Sequence, residues 1–282
     1  MKVSYYPGCS LHGTAKEYDQ SMRAVSCALG IELKELDDWS CCGASSAHAT
    51  NFKLSMALPA RDLVKAEQKG MDLMVPCAAC FNRLKTAQHH LKDDPALRGD
   101  IECMLGARYQ GTINVRNPID IIFSEIGVET LVSKVKRPLR GLKPVSYYGC
   151  LLLRPPEVCR YENYENPVQL DKIMAALGAD VKQWSFKTDC CGGSLSISRT
   201  DLVVGMVDKL MTMAREAGAN CVAVACPLCM ANLDMRASNH RKLPVFYFTE
   251  LIGVALGLEG PANWAKLHNL DPTPLLEGLG LL

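Results

Sequence analysis

At 282 residues, 48% hydrophobic and 22% charged, the chain has the composition of a folded globular protein with a sizeable core. A formal charge of +1 gives no general field for nucleic acid, and the most apolar late run, Leu251 to Leu258, is far shorter than the ~20 residues that span a bilayer. Fourteen cysteines in tight local clusters, in a chain opening Met1-Lys2-Val3-Ser4 without a secretory pattern, favour a reducing, cytoplasmic setting over a disulfide framework.

Val3 to Tyr6 reads as a short strand, with Gly8 allowing a tight turn beneath Cys9. A helix is expected from Ala15 to Leu29, where Met22, Val25 and Leu29 recur at helical spacing and Gly30 closes the element. Ile31 to Leu36 alternates as a strand and leads to Cys41-Cys42-Gly43. Pro59 is expected in the first turn of a helix that stops at Gly70. Met71 to Val75, almost continuously apolar, suits a central parallel strand, and Cys77 to Cys80 follows it into a helix through Arg83 and Ala87. Asp93 to Asn117 carries no assignable pattern. Asn117-Pro118-Ile119 resembles a helix start, Ser124-Glu125-Ile126-Gly127 follows, and Arg137-Pro138-Leu139-Arg140-Gly141 reads as a linker.

The same plan then repeats. Val145 to Tyr148 is a strand, Pro167 to Leu177 a helix ended by Gly178, and Val181 to Trp184 a strand before Cys190-Cys191-Gly192-Gly193. A long helix from Thr200 to Ala217 and an apolar strand from Cys221 to Ala225 precede Cys226-Pro227-Leu228-Cys229. Thr249-Glu250-Leu251-Ile252-Gly253 echoes the Ser124 segment, and the tail from Asn263 is expected to wrap over a lobe. The fold expected is therefore α/β, with two similar duplicated lobes, 1–138 and 139–282. Each surrounds a small, mainly parallel sheet, with metal sites at the carboxyl edges.

The duplication is clearest in the cysteines. Cys9 or Cys150 comes first, then a vicinal pair, then a CxxC; 34 residues separate Cys42 from Cys77, and 34 separate Cys191 from Cys226. Thiolates in such sets select iron–sulfur clusters, zinc or copper(I). Two zinc sites would leave one cysteine of each five spare, and purely thiol–disulfide chemistry is a further alternative. Ferredoxin-type ligand runs are absent, as is a glycine-rich dinucleotide fingerprint after a strand. Cys27 and Cys221 are expected as small buried hydrophobes, and Cys103 and Cys159 as non-ligands. His12 and His48 each follow a cysteine loop as candidate proton or hydrogen-bond donors, while Lys53, Arg154 and Arg199 are candidate anchors for an anion.

The doubled pattern resembles the cysteine-rich CCG domain, present twice as in the B subunit of heterodisulfide reductases. The resemblance implies two noncubane [4Fe-4S] clusters. One is held by Cys9, Cys41, Cys42, Cys77 and Cys80, the other by Cys150, Cys190, Cys191, Cys226 and Cys229. The spacing between the vicinal pair and the CxxC departs from the family pattern, being one or two residues shorter in both lobes. The implied activity is reduction of a small disulfide to two thiols, the coenzyme M–coenzyme B heterodisulfide or an analogue, in anaerobic metabolism such as methanogenesis. Electrons would come through a ferredoxin-like C subunit and an FAD-containing A subunit, with a hydrogenase or dehydrogenase module further upstream, in a large soluble cytoplasmic complex. Related CCG proteins leave two alternatives: a subunit of another oxidoreductase, such as a lactate-type dehydrogenase, or a non-catalytic electron-transfer adaptor.

Overall fold

Strands and helices alternate from the first residues of the computed structural model, which describes residues 1–44 and 47–282. The first lobe runs β1 (Lys2–Tyr5), α1 (Gly8–His12), α2 (Lys16–Ala28), β2 (Glu32–Glu35), α3 (Ala47–Thr50), α4 (Phe52–Lys69), β3 (Leu73–Met74), α5 (Ala78–Asp93), α6 (Pro95–Leu105) and β4 (Val115–Arg116). α7 (Pro118–Asp120) continues through a π-helical turn at Ile121–Gly127 into α8 (Val128–Ser133). The sheet is wholly parallel, in the order β2-β1-β3-β4.

The second lobe is leaner. It contains β5 (Pro144–Tyr147), α9 (Pro156–Cys159), α10 (Gln169–Ala176), α11 (Thr200–Glu216), β6 (Cys221–Val224), α12 (Pro227–Arg236), β7 (Val245–Tyr247) and α13 (Phe248–Ala255), then α14 (Pro261–Ala265) and α15 (Thr273–Gly278). Its sheet is parallel in the order β5-β6-β7, and all three strands are buried along their whole length. Burial on both faces is why these segments read as continuous apolar runs rather than alternating ones.

Four expectations need correcting. Val181 to Trp184 is not a strand: it runs beside β5, but only Lys182 N donates to the ladder, to Pro144 O at 2.8 Å, while the Trp184 indole donates to Ser146 O at 2.9 Å. The side chain takes the acceptor that a backbone N–H would use. Pro59 lies inside α4 rather than in its first turn, because Asn51 caps the helix earlier by accepting from Leu54 N. Asp93 to Asn117 is structured: Asp94 Oδ1 accepts from Ala96 N and Leu97 N to cap α6, and β4 completes the sheet. Cys9 sits in the short helix α1 rather than in a turn, although Gly8 does take the left-handed conformation before it.

The lobes share one core, and the linker is part of it, with Leu139 and Leu142 fully buried and Leu139 N donating to Leu177 O at 2.8 Å. The tail packs through Trp264. Its indole occupies the space that side chains at Gly253 and Gly260 would need, since a Cβ at either would come closer than 3.0 Å to the ring. Trp264→Ala is expected to cost about 3–5 kcal/mol of stability, read as a lower denaturation midpoint. An unchanged midpoint would mean that the tail is not part of the cooperative unit. Among the described residues, no helix is long and apolar enough to cross a membrane.

Candidate functional site

The cysteine elements lie where the strands end. Cys9 and Cys77 follow β1 and β3, Cys150 and Cys226 follow β5 and β6, and parallel pairing puts each set at the carboxyl edge of its sheet. Cys77 and Cys226 are the residues immediately preceding α5 and α12.

The local devices recur in both lobes. Tyr6 donates to Ser40 O at 2.6 Å and Tyr147 donates to Asp189 O at 2.6 Å, each fixing the carbonyl just before a vicinal pair. Gly43 N lies 3.4 Å from Cys41 Sγ, and Gly192 N lies 3.3 Å from Cys190 Sγ. Cys42 Sγ is 3.3 Å from Cys80 Sγ, and Cys191 Sγ is 3.7 Å from Cys229 Sγ. Gly8 and Gly149 adopt φ of +70° and +69°, and a Cβ there would lie 3.0 Å from Cys80 Sγ and 2.9 Å from Cys229 Sγ. Both glycines therefore leave room for a sulfur.

Electrostatics follow this symmetry only in part, since Cys41 and Cys77 are raised while their counterparts Cys190 and Cys226 are lowered. The neighbouring Cys41 and Cys80 sulfurs hold the Cys42 thiol far below the usual range, at about 3. Cys191 is lowered by its hydrogen bond from Cys229. Cys80 and Cys229 are pushed up in turn, first by the vicinal partner and then by the other member of the CxxC. In the first lobe only the second member of the vicinal pair is lowered, Cys41 being raised, whereas in the second lobe both are lowered, Cys190 to about 6.

All five cysteines of the first set line one cavity of about 470 Å³, whose far wall comes from the second lobe through Gly193, Leu228 and Asn232. Four of the second set, Cys150, Cys190, Cys191 and Cys229, line an adjacent, tighter cavity of about 60 Å³ together with the fifth, Cys226. The sets meet at the seam, where Cys226 is the main cause that raises the Cys77 thiol. Tyr18 holds this junction. Its hydroxyl is shared between Pro76 O at 3.3 Å and Ala225 O at 3.2 Å, the carbonyls preceding those two cysteines, and its ring stacks on Tyr247 at 4.1 Å. Asn82 adds a second clasp, donating to Leu151 O at 3.1 Å and Arg154 O at 2.8 Å.

Among the described residues, no group of three or more His, Cys, Asp or Glu side chains could hold a metal ion; the thiols are drawn into pairs. The donor set nonetheless fits a larger sulfur-bound group. Five thiols surround each cavity, and two glycines keep side chains out of the sulfurs' space.

The large cavity also carries residues that sequence spacing does not reveal. Arg83 and Arg236 line it, and the Nε of each is buried without a hydrogen-bond partner. Arg236 spends one Nη on Ser196 O at 3.1 Å. Arg83 occupies the position in its lobe, three residues after the second CxxC cysteine, that Asn232 holds in the other. There Asn232 Nδ2 donates to Cys191 O at 2.9 Å. The charged residues expected as anchors are elsewhere and already paired: Lys53 with Asp100, Arg154 with Glu165 and Arg199 with Asp201. His48 lines the cavity, whereas His12 is occupied by Glu35 at 3.1 Å.

Cys221 is buried as expected, but Cys27 is exposed, because Met22, Val25 and Ser26 take the inward face of α2. Cys103 is exposed on α6, and Cys159 is buried and receives a hydrogen bond from Asn82 at 3.4 Å. None of these four lines either cavity.

Comparison with known proteins agrees with this duplication. The family model described as the cysteine-rich domain, CCG, matches twice, over residues 3–85 and 145–234. The chain is 34% identical over 97% of its length to the 8-methylmenaquinol:fumarate reductase membrane anchor subunit of Wolinella succinogenes, covering 99% of that protein. It is 29% identical over 91% of its length to the B subunit of the ferredoxin/F420H2-dependent CoB-CoM heterodisulfide reductase of Methanosarcina acetivorans, covering 89% of it. A Helicobacter pylori crystal structure, of a protein described as hypothetical, shares the fold with a TM-score of 0.74 at 11% identity. The match covers 95% of this chain and 51% of that one. A doubled CCG domain over most of the chain, with heterodisulfide reductase B subunits among its relatives, places this protein in the family of those B subunits.

Proposed function

We propose that this chain is the disulfide-cleaving subunit of a heterodisulfide reductase-like complex. Cys9, Cys41, Cys42, Cys77 and Cys80 would hold one noncubane [4Fe-4S] cluster, and Cys150, Cys190, Cys191, Cys226 and Cys229 the other. The observation that carries this reading is the seam: Tyr18 ties together the carbonyls preceding Cys77 and Cys226, so two equivalent thiol sets flank a cavity walled by both lobes. Cleaving R–S–S–R′ consumes two electrons and two protons and releases RSH and R′SH. Iron–sulfur clusters supply electrons singly, so two sites in adjacent cavities match the stoichiometry.

The chain's own residues position the substrate. Arg83 and Arg236 present unpaired, buried guanidinium nitrogens, which suit a disulfide bearing anionic groups. His48 is the imidazole on the cavity, placed to pass a proton to a departing thiolate. The electrons would arrive from a ferredoxin-like C subunit and an FAD-containing A subunit in a cytoplasmic complex.

The test is anaerobic disulfide reduction by the purified chain with an artificial one-electron donor. Two thiols released per disulfide is the expected result, and an iron-loaded chain that takes up electrons from the donor but releases no thiol from the disulfide would contradict it. Arg83→Gln and Arg236→Gln should each raise KM for a doubly anionic disulfide by about tenfold or more, leaving an uncharged disulfide unaffected. Equal effects on both substrates would remove the arginines from recognition.

A second reading is favoured by the Wolinella succinogenes relative, whose name is that of a fumarate reductase subunit. In that case the same two sites would relay electrons to a partner, and disulfide cleavage would be absent from the loaded chain.

A further inference from the structure

A third cavity lies between α5 and α6 of the first lobe and α9 of the second. It measures about 310 Å³, and its walls carry Lys85, Lys92, Arg98 and Arg160 with one carboxylate, Glu157. Lys85, Gln88, His89 and Lys92 recur at i, i+3, i+4 and i+7, so α5 turns a single face to it. His89 is paired with Asp93 at 3.4 Å. Among the described residues, none of the four other cations has a side-chain hydrogen bond or ion pair.

What sets these four apart is that they line one concave cleft together. Cations nearby are neutralised: Lys53 by Asp100, Lys69 by Asp37, Arg116 by Glu125 and Arg154 by Glu165. Lys92 gains from the carbonyl end of α5, where a cation is favoured, but Lys85, Arg98 and Arg160 have no such compensation. Burial, and then the charge of Arg160, lower the pKa of the Lys85 ammonium. Four positive charges against one negative in a concave cleft focus a field that calls for a multiply charged anion.

We infer that this cleft is a ligand site separate from the cysteine cavities, and that it takes a small molecule carrying a diphosphate unit. Guanidinium forks on two different walls match the oxygens of two linked phosphates, and the lysines add point charges. The volume suits a small ligand rather than a polymer. The walls come from both lobes, so an occupant would tie α5 and α6 to α9 and stabilise their docking.

The inference is independent of the chemistry proposed at the cysteines, and calorimetry on the intact, anaerobically prepared chain tests it. Inorganic diphosphate and ADP are titrated at low and high salt, with a glutamate peptide in parallel. Diphosphate is expected to bind with a Kd of about 100 μM or tighter at low salt and to weaken as salt rises. The Lys85→Gln/Arg160→Gln double variant should lose tenfold or more in affinity with unchanged iron content, while Lys53→Gln should change nothing. ADP binding as tightly as diphosphate identifies the diphosphate unit as the recognised part, and tighter ADP binding identifies a nucleotide as the source. Absence of binding by both at millimolar concentration overturns the inference. So does equal binding by the double variant, or binding of the glutamate peptide alone, which would make the cleft a protein-docking surface.

Discussion

Gly149→Ala is expected to abolish assembly of the second thiol site while the first survives. The residue stands at φ +69°, and an added Cβ would meet Cys229 Sγ at 2.9 Å. The left-handed conformation costs a non-glycine residue roughly 1–2 kcal/mol. The larger effect is steric, because the Tyr147 ring also borders the space and the intruded sulfur cannot retreat without leaving its partners. Gly8→Ala should do the reciprocal damage, since its Cβ would sit 3.0 Å from Cys80 Sγ and 3.4 Å from the Tyr6 ring. Iron and acid-labile sulfide per chain should fall by about half in either variant. Gly99→Ala, on α6 with open space around it, should leave the load unchanged. A full load in Gly149→Ala would show that this crowding does not constrain the assembled site.

Substitutions within the two sets should separate by position. Cys42→Ala and Cys191→Ala each remove the second cysteine of one vicinal pair, so each should silence its own paramagnetic signal and spare the other. Cys226→Ala should behave differently. Cys226 raises the Cys77 thiol across the seam, so its loss should also shift the first lobe's signal. Cys27→Ala, on the exposed face of α2, should be without effect on either. Identical spectra for the surviving site in Cys191→Ala and Cys226→Ala would contradict coupling across the seam.

Much of this architecture was legible because the duplication repeats its chemistry at fixed spacing. The strands preceding Cys9, Cys77, Cys150 and Cys226 announced themselves as apolar runs, and parallel pairing did the rest. Val181 to Trp184 reads as a strand in sequence, but the hydrogen bond to Ser146 O that a strand's backbone would make is supplied by the Trp184 indole. The start of α6 carried a readable signal, Asp94-Pro95, a capping residue before a proline at the first helical position.

The functional side chains beyond cysteine were not legible in the same way. Lys53, Arg154 and Arg199 sit near cysteine loops in sequence, yet each is neutralised by a carboxylate. Arg83 and Arg236 lie on helices that follow the two CxxC elements, and only packing shows that they line a shared cavity with their Nε atoms unpaired. Tyr18 joins carbonyls 58 and 207 residues away, a contact that no local pattern encodes.

The most direct measurement of the central claim is disulfide cleavage by chains in which one thiol set has been broken. Anaerobic turnover with an artificial electron donor would be compared for the intact chain, Cys42→Ala and Cys191→Ala, with the paramagnetic signal of the remaining site recorded in the same samples. Both variants are expected to keep one signal and lose cleavage together, because the bond is opened at a cavity that needs both sets. Near-normal cleavage by either variant, with only one site present, would contradict that claim.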